Sequence, residues 1–87
     1  MNENEIKDFI LSRINYRITR LGIEPEEITK NYDLVKSGLL DSMSFIDLVV
    51  DIEKKYNIEI DFESAFEQSG FTTLAGLTRT VEKELNE

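Results

Sequence analysis

The sequence predicts an all-α fold: a four-helix bundle of three main helices and one short helix, with a long loop between the first and second helices. Three observations lead there. Apolar residues recur at steps of three and four in three separate stretches, the spacing that puts them on one face of a helix. Glycine and proline fall chiefly between those stretches, and neither occurs from Ser42 until Gly70. The length, 87 residues, suits one domain spanning residues 1–87, just above the size at which a single hydrophobic core becomes too small to stand alone.

In the first helix, from about Asn4 to Arg20, the apolar stripe is Ile6, Phe9, Ile10, Ile14, Ile18 and Leu21. Asn2 with Glu5 three residues later forms a capping box at its start, and the helix is about 25 Å long at the α-helical rise. Arg13, Arg17 and Arg20 fall on the polar side and read as a solvated face. Gly22 ends the pattern, and Pro25 followed by Glu26 and Glu27 reads as a short helical turn, since proline suits a first helical position and carboxylates suit the positive end of the dipole. Residues 22–41 then form the long connection. Ile23, Ile28, Leu34 and Val35 are its expected anchors on the bundle.

The second helix runs from Ser42 to Tyr56. Its β-branched Val49, Val50 and Ile52 raise the alternative of a strand, which is rejected because Asp47, Asp51 and the Glu53-Lys54-Lys55 run fit a helical polar face better than two-residue alternation. Val49, Ile52 and Tyr56 are expected to face the core, while Met43, Ile46 and Val50 follow a second stripe beside Ser42, rimmed by Asp47 and Asp51. Residues 57–61 alternate apolar with polar and suit a short extended stretch. A short helix from Phe62 to Gln68 is stopped by Ser69-Gly70, and a last helix from about Thr73 to Leu85 shows Leu74, Leu77, Val81 and Leu85 on one face, with Thr72 or Thr73 as N-cap.

Composition narrows the chemistry. Without cysteine or histidine there is no disulfide, no thiol nucleophile, and no side chain that titrates near neutrality. A lone Ser42 therefore has no histidine to activate it, and no cluster of carboxylates has metal-loop spacing: neither a catalytic residue nor a metal site is expected. Eighteen acidic against ten basic residues give a formal charge of −8, which opposes nucleic-acid binding and favours a basic protein partner. No apolar run approaches a membrane span, and the first residues lack the regions of a signal peptide. A soluble cytoplasmic monomer without membrane insertion is the expectation.

The informative segment is Ser37-Gly38-Leu39-Leu40-Asp41-Ser42-Met43. Gly38 lets the backbone turn sharply, the two leucines can bury beneath the turn, and Asp41-Ser42 begins a helix. Ser42 is thereby solvent-facing, at the positive end of a helix dipole that favours a phosphate ester. On this local physics alone, Asp41 or Ser42 reads equally as a plain N-cap.

That segment, followed by Ile46-Asp47-Leu48-Val49 and 52–60, preceded by 22–29 and Asp33-Leu34, and continued by Phe71-Thr72-Thr73-Leu74, resembles the acyl carrier protein family over nearly the whole chain. The resemblance implies that Ser42, with Asp41 before it, receives the 4′-phosphopantetheine of coenzyme A in a magnesium-dependent reaction of a separate phosphopantetheinyl transferase. The arm's terminal thiol then carries an acyl or aminoacyl group as a thioester between loading and transfer enzymes, so the protein itself is no enzyme. The implied partner-contact residues are Met43, Phe45, Ile46, Asp47, Val50 and Asp51. Phe45, one turn beyond Ser42, is expected to meet the arm or a partner, and Phe66 and Phe71 to fill the core. Phe45, the aromatic-rich 62–70 segment and the Lys54-Lys55 pair depart from the commonest fatty-acid carriers. They favour a dedicated carrier of a specialised pathway, with polyketide, nonribosomal-peptide and D-alanyl carriers as models. A general fatty-acid-synthesis carrier, or a helical adaptor that uses its acidic face without a cofactor, are the alternatives.

Overall fold

The computed structural model describes residues 3–86, so the capping box expected at Asn2 lies outside the described residues. Four α-helices follow in order: α1 (Glu3–Arg20), α2 (Ser42–Tyr56), α3 (Phe62–Glu67) and α4 (Leu74–Leu85), with a single 3-10 turn, Pro25–Glu27, in the long connection. The described residues contain no strand; their one β-type pairing joins Asp33 to Thr73. The all-α bundle of three main helices and one short one is therefore what the chain adopts.

Each boundary has a local cause. Ile6, Ile10, Ile14 and Ile18, spaced by four, are all buried and give α1 its inner face, which packs mainly against α4 and also against α2. The helix ends in a Schellman arrangement: Gly22 takes φ +72°, its amide donates to the Thr19 carbonyl, and the Ile23 amide reaches back to Ile18. Leu21, assigned to the apolar stripe from its spacing, falls past that break and is 58% exposed. The Asp41 side chain caps α2 by accepting from the Ser44 amide, and Asn57 closes it in the left-handed conformation. Asp61 and Thr73 cap α3 and α4 in the same way.

The core of α2 is Phe45, Leu48, Val49 and Ile52, with Tyr56 half-buried at its end, edge-on to Phe9. Phe45 corrects the sequence reading. Its ring is 1% exposed and meets Phe71 edge-on at 5.4 Å between centroids. Distance along the chain from Ser42 suggested a surface contact; register decides otherwise, because 45, 48, 49 and 52 form one continuous helical stripe. Phe66, expected inside, is instead 50% exposed, stacked on Phe62 and edge-on to Phe71. Phe71 is buried as expected.

The connection between α1 and α2 is fixed without regular structure. Ile28, Leu34, Leu39 and Leu40 are buried, while Ile23 and Val35 pack partly against the core. The backbone is tied to the start of α4 by Leu34 N–H to the Thr72 carbonyl (2.8 Å), Leu74 N–H to Tyr32 (3.0 Å) and Ala75 N–H to Lys30 (2.9 Å). Asp33 sits at the centre of this tie. Its Oδ1 accepts from the Val35 and Lys36 amides at 3.0 and 2.7 Å, and both its oxygens lie within 3.0 Å of the Thr72 hydroxyl. Gly76 lets the first turn of α4 pack against the turn that precedes it, since a Cβ there would collide with the Gly70 carbonyl.

Two outcomes follow from this packing. Phe45→Ala is expected to destabilise by about 3 to 5 kcal/mol, the usual result for a buried aromatic truncation, and Phe66→Ala by about 1 kcal/mol, the scale of lost ring contacts alone. Urea denaturation of the two variants measures the difference, and the reverse order would place Phe66 in the core. For Asp33, partial burial pushes the carboxyl up, but the Lys36 amide, the Thr72 hydroxyl, the Val35 amide and the Lys36 charge outweigh it and hold it below the ordinary aspartate range. A depressed carboxyl stabilises the fold above its unfolded value of about 3.9 and loses that contribution as pH falls through the lower folded value. Asp33→Ala should therefore be less stable than the parent at pH 7, with the gap narrowing toward pH 3.

Candidate functional site

The turn before α2 is held tightly. Gly38 adopts φ +89°, a conformation that suits glycine, and its amide donates to Val35. The Ser37 amide donates to Asp33 and the Leu40 amide to Leu34 at 2.8 Å. With Leu39 and Leu40 buried at 1% and 2%, the chain is pinned from inside and delivers Asp41 to the surface in an extended conformation, φ −80° and ψ 175°. Ser42 is the first residue of α2 and exposed. Among the described residues its hydroxyl has no hydrogen-bond partner, so it projects from a fixed base without being held back.

Beside it, α1 contributes two arginines that were read from sequence as a solvated face. Arg17 donates from Nη2 to Ser44 Oγ at 2.8 Å, from Nη1 to the Leu39 carbonyl at 3.5 Å and from Nε to the Tyr16 hydroxyl at 3.1 Å. It thus ties α1 to both sides of the turn. Arg13 donates from Nε and Nη2 to Asp51 Oδ2 at 3.2 and 2.8 Å. Together they line a polar groove of about 250 Å³ between α1 and α2, whose far wall includes Ser44, Asp47 and Asp51. The Asp41 carboxyl is held below the ordinary range, chiefly by the Ser44 amide and hydroxyl, with Arg17 and the Met43 amide assisting against a slight burial effect. No group of His, Cys, Asp or Glu among the described residues is arranged to hold a metal ion.

A family model described as a phosphopantetheine attachment site matches residues 18–81, from the last turn of α1 to the third turn of α4. The chain belongs to the phosphopantetheine-carrier family. It is similar to the acyl carrier protein of Wolinella succinogenes, 28% identical over 79 residues that span 91% of each chain. No solved structure matches it. Membership makes the protein a carrier rather than a catalyst, with a covalently attached 4′-phosphopantetheine as its prosthetic group. No described helix is long and apolar enough to cross a membrane.

Of the residues singled out in the sequence for this carrier, Ser42, Met43 and Asp47 are exposed, Met43 at 68%. Ile46, Val50 and Asp51 are half-buried. Phe45 alone leaves the group, turned inward as described above. Sequence reasoning missed Arg13, Arg17 and Ser44; Arg13 pairs with Asp51, 38 residues away, and Arg17 with Ser44, 27 residues away. The only local signal was that both arginines share the polar side of α1 with no acidic residue near enough to pair along the helix.

Ser44 links Arg17 to Asp41, so Ser44→Ala should raise the Asp41 carboxyl toward its ordinary value while the cap from the Ser44 amide persists. Carboxyl titration followed by NMR checks this, and an unchanged Asp41 would mean that the amide alone sets it.

Proposed function

We propose that Ser42 is the phosphopantetheine attachment point and that this carrier serves a specialised acyl or aminoacyl pathway. The observation that carries the first part is the exposed, unpartnered Ser42 hydroxyl at the head of α2, on a turn fixed by buried leucines and three backbone hydrogen bonds. A transferase needs its acceptor oxygen accessible and its backbone held; both conditions are met here. The residues present also fit a phosphodiester: the first turn of α2 offers the positive end of a helix dipole, and Arg17 brings a cation to the neighbouring Ser44. Attachment forms the bond from Ser42 Oγ to the phosphorus of coenzyme A as the nucleotide portion leaves, and the hydroxyl proton passes to the transferase. The bound arm supplies a terminal thiol for thioester formation. The chain's own residues present and orient the serine.

Met43, Ile46 and Val50, with Asp47 and Asp51 at their edge, form the proposed docking face. Apolar contact gives it some affinity, and the acidic rim steers basic partners toward it. Support for a specialised pathway comes from the aromatic content beside α2. Phe45, Phe62, Phe66 and Phe71 form one contiguous set of ring contacts, the feature that separated this chain from the commonest fatty-acid carriers at the level of sequence.

Incubation with coenzyme A and a broad-specificity phosphopantetheinyl transferase should raise the intact mass by one arm. Ser42→Ala should show no gain while retaining its helical circular dichroism. Modification of the alanine variant would move the attachment elsewhere. No gain in the parent would favour an adaptor without a cofactor.

A further inference from the structure

Asp47 and Asp51 lie one turn apart on the same helix, yet the structure treats them differently. Asp47 is exposed and makes no hydrogen bond or ion pair among the described residues. The Asp51 carboxylate is already engaged: one of its oxygens accepts two N–H groups of Arg13, with side-chain exposures of 50% for the arginine and 37% for the aspartate. The cation comes from α1, across the groove between the helices, and no other acidic residue competes for it among the described residues.

We infer that Arg13 is a specificity-determining residue of the docking face, occupying Asp51 in the free protein so that a partner gains this carboxylate only by displacing an arginine. The inference rests on the reading of α2 as the docking face. Asp47 is then the encounter charge, available at long range to any basic edge, and a chain of net charge −8 attracts such edges. Asp51 adds a second, selective step. An incoming arginine reproduces the planar fork that Arg13 offers, whereas a lysine brings a compact, strongly hydrated charge and matches it less well. Exposed ion pairs are weak, so displacement lies within reach of a transient encounter and yet discriminates between partners. The partner class is an enzyme with an arginine placed to meet the third turn of α2.

The test measures KM and kcat for arm transfer from coenzyme A by a broad-specificity phosphopantetheinyl transferase at low salt, in the full chain. Asp47→Asn should raise KM about two- to fivefold, and Asp51→Asn by less than about twofold. Arg13→Gln should lower KM about two- to fivefold, and in that background Asp51→Asn should raise KM as Asp47→Asn does in the parent. Values of kcat should not move, and the differences should shrink at high salt. Arg20→Gln, which removes the same charge from an exposed α1 position, controls for net charge and should leave KM unchanged. In the unmodified protein, titration with the transferase should also shift the Arg13 Nε–H resonance. Equal effects of Asp47→Asn and Asp51→Asn with an inert Arg13→Gln would overturn the inference, as would an Arg20→Gln effect equal to that of Arg13→Gln. A parent chain that takes no arm overturns the Ser42 assignment itself, an outcome distinct from normal modification with flat KM values.

Discussion

The carboxylate of Asp33 is the constraint on which the geometry of the site depends. Between α1 and α2 the chain has only one 3-10 turn, so its path must be set by hydrogen bonds and buried side chains. A loop of that length left untied retains the entropy that ordering would remove. Asp33 accepts from two amides of its own turn and from the Thr72 hydroxyl across the bundle, and a partly buried carboxylate so supplied avoids the penalty of an unmade hydrogen bond. Leu34, next in sequence, is fully buried and hydrogen-bonded through its amide to Thr72. From that fixed point, the contacts of Ser37, Gly38 and Leu40 leave little freedom before Ser42. The turn that leads into α2 is thus anchored to α4, an element that shares no sequence neighbourhood with it.

Electrostatics must be solved locally in a chain of net charge −8, because surplus charge repels itself and opposes compactness. The α1–α2 seam is where compensation is concentrated: Arg13 on Asp51 and Arg17 beside Asp41 and Ser44. Uncompensated acid sits elsewhere, at exposed positions such as Glu24, Glu26, Glu27 and Glu63, where water screens it. Placing both arginines on the seam leaves the outward part of α2 acidic at Asp47 while its inner edge is neutralised. Exposed charge at Asp47 and paired charge at Asp51 therefore share one helix without cancelling.

Much of this was legible in the sequence, and the misses have separate causes. Helix periodicity located all four helices to within a residue or two, and cap chemistry narrowed two N-caps to Asp41 or Ser42 and to Thr72 or Thr73, of which Asp41 and Thr73 make the cap bonds, because both signals are local. The exchanged roles of Phe45 and Phe66 arose from weighing proximity to Ser42 above register. The stripe 45, 48, 49, 52 was present in the sequence and contained the answer. Phe66 carries the opposite lesson, since α3 spans only six residues and so short a helix has too few turns for a stripe to be read. Arg13 with Asp51, and Asp33 with Thr72, are separated by 38 and 39 residues. Such pairs depend on how helices cross and where a loop lands, which one sequence's periodicity does not encode.

The distribution of these ties explains how one small bundle can be both fixed and adaptable. Helices α1, α2 and α4 share the isoleucine stripe, the Phe45 stripe and the Leu74–Leu77–Val81 face, all buried, and the turn before α2 is fastened to this frame. In contrast, α3 commits only Ala65 fully to the core, and its cap contacts from Asp61 are exposed. A two-turn helix has little intrinsic stability and depends on packing to persist, so α3 is the element with least holding it in place. Phe66, half in solvent and in ring contact with Phe45 and Phe71, joins that weakly held element to the buried side of the helix that presents Ser42. Local stability follows the number of buried contacts, and by that measure the turn before Ser42, with Leu39 and Leu40 buried, is held more firmly than α3.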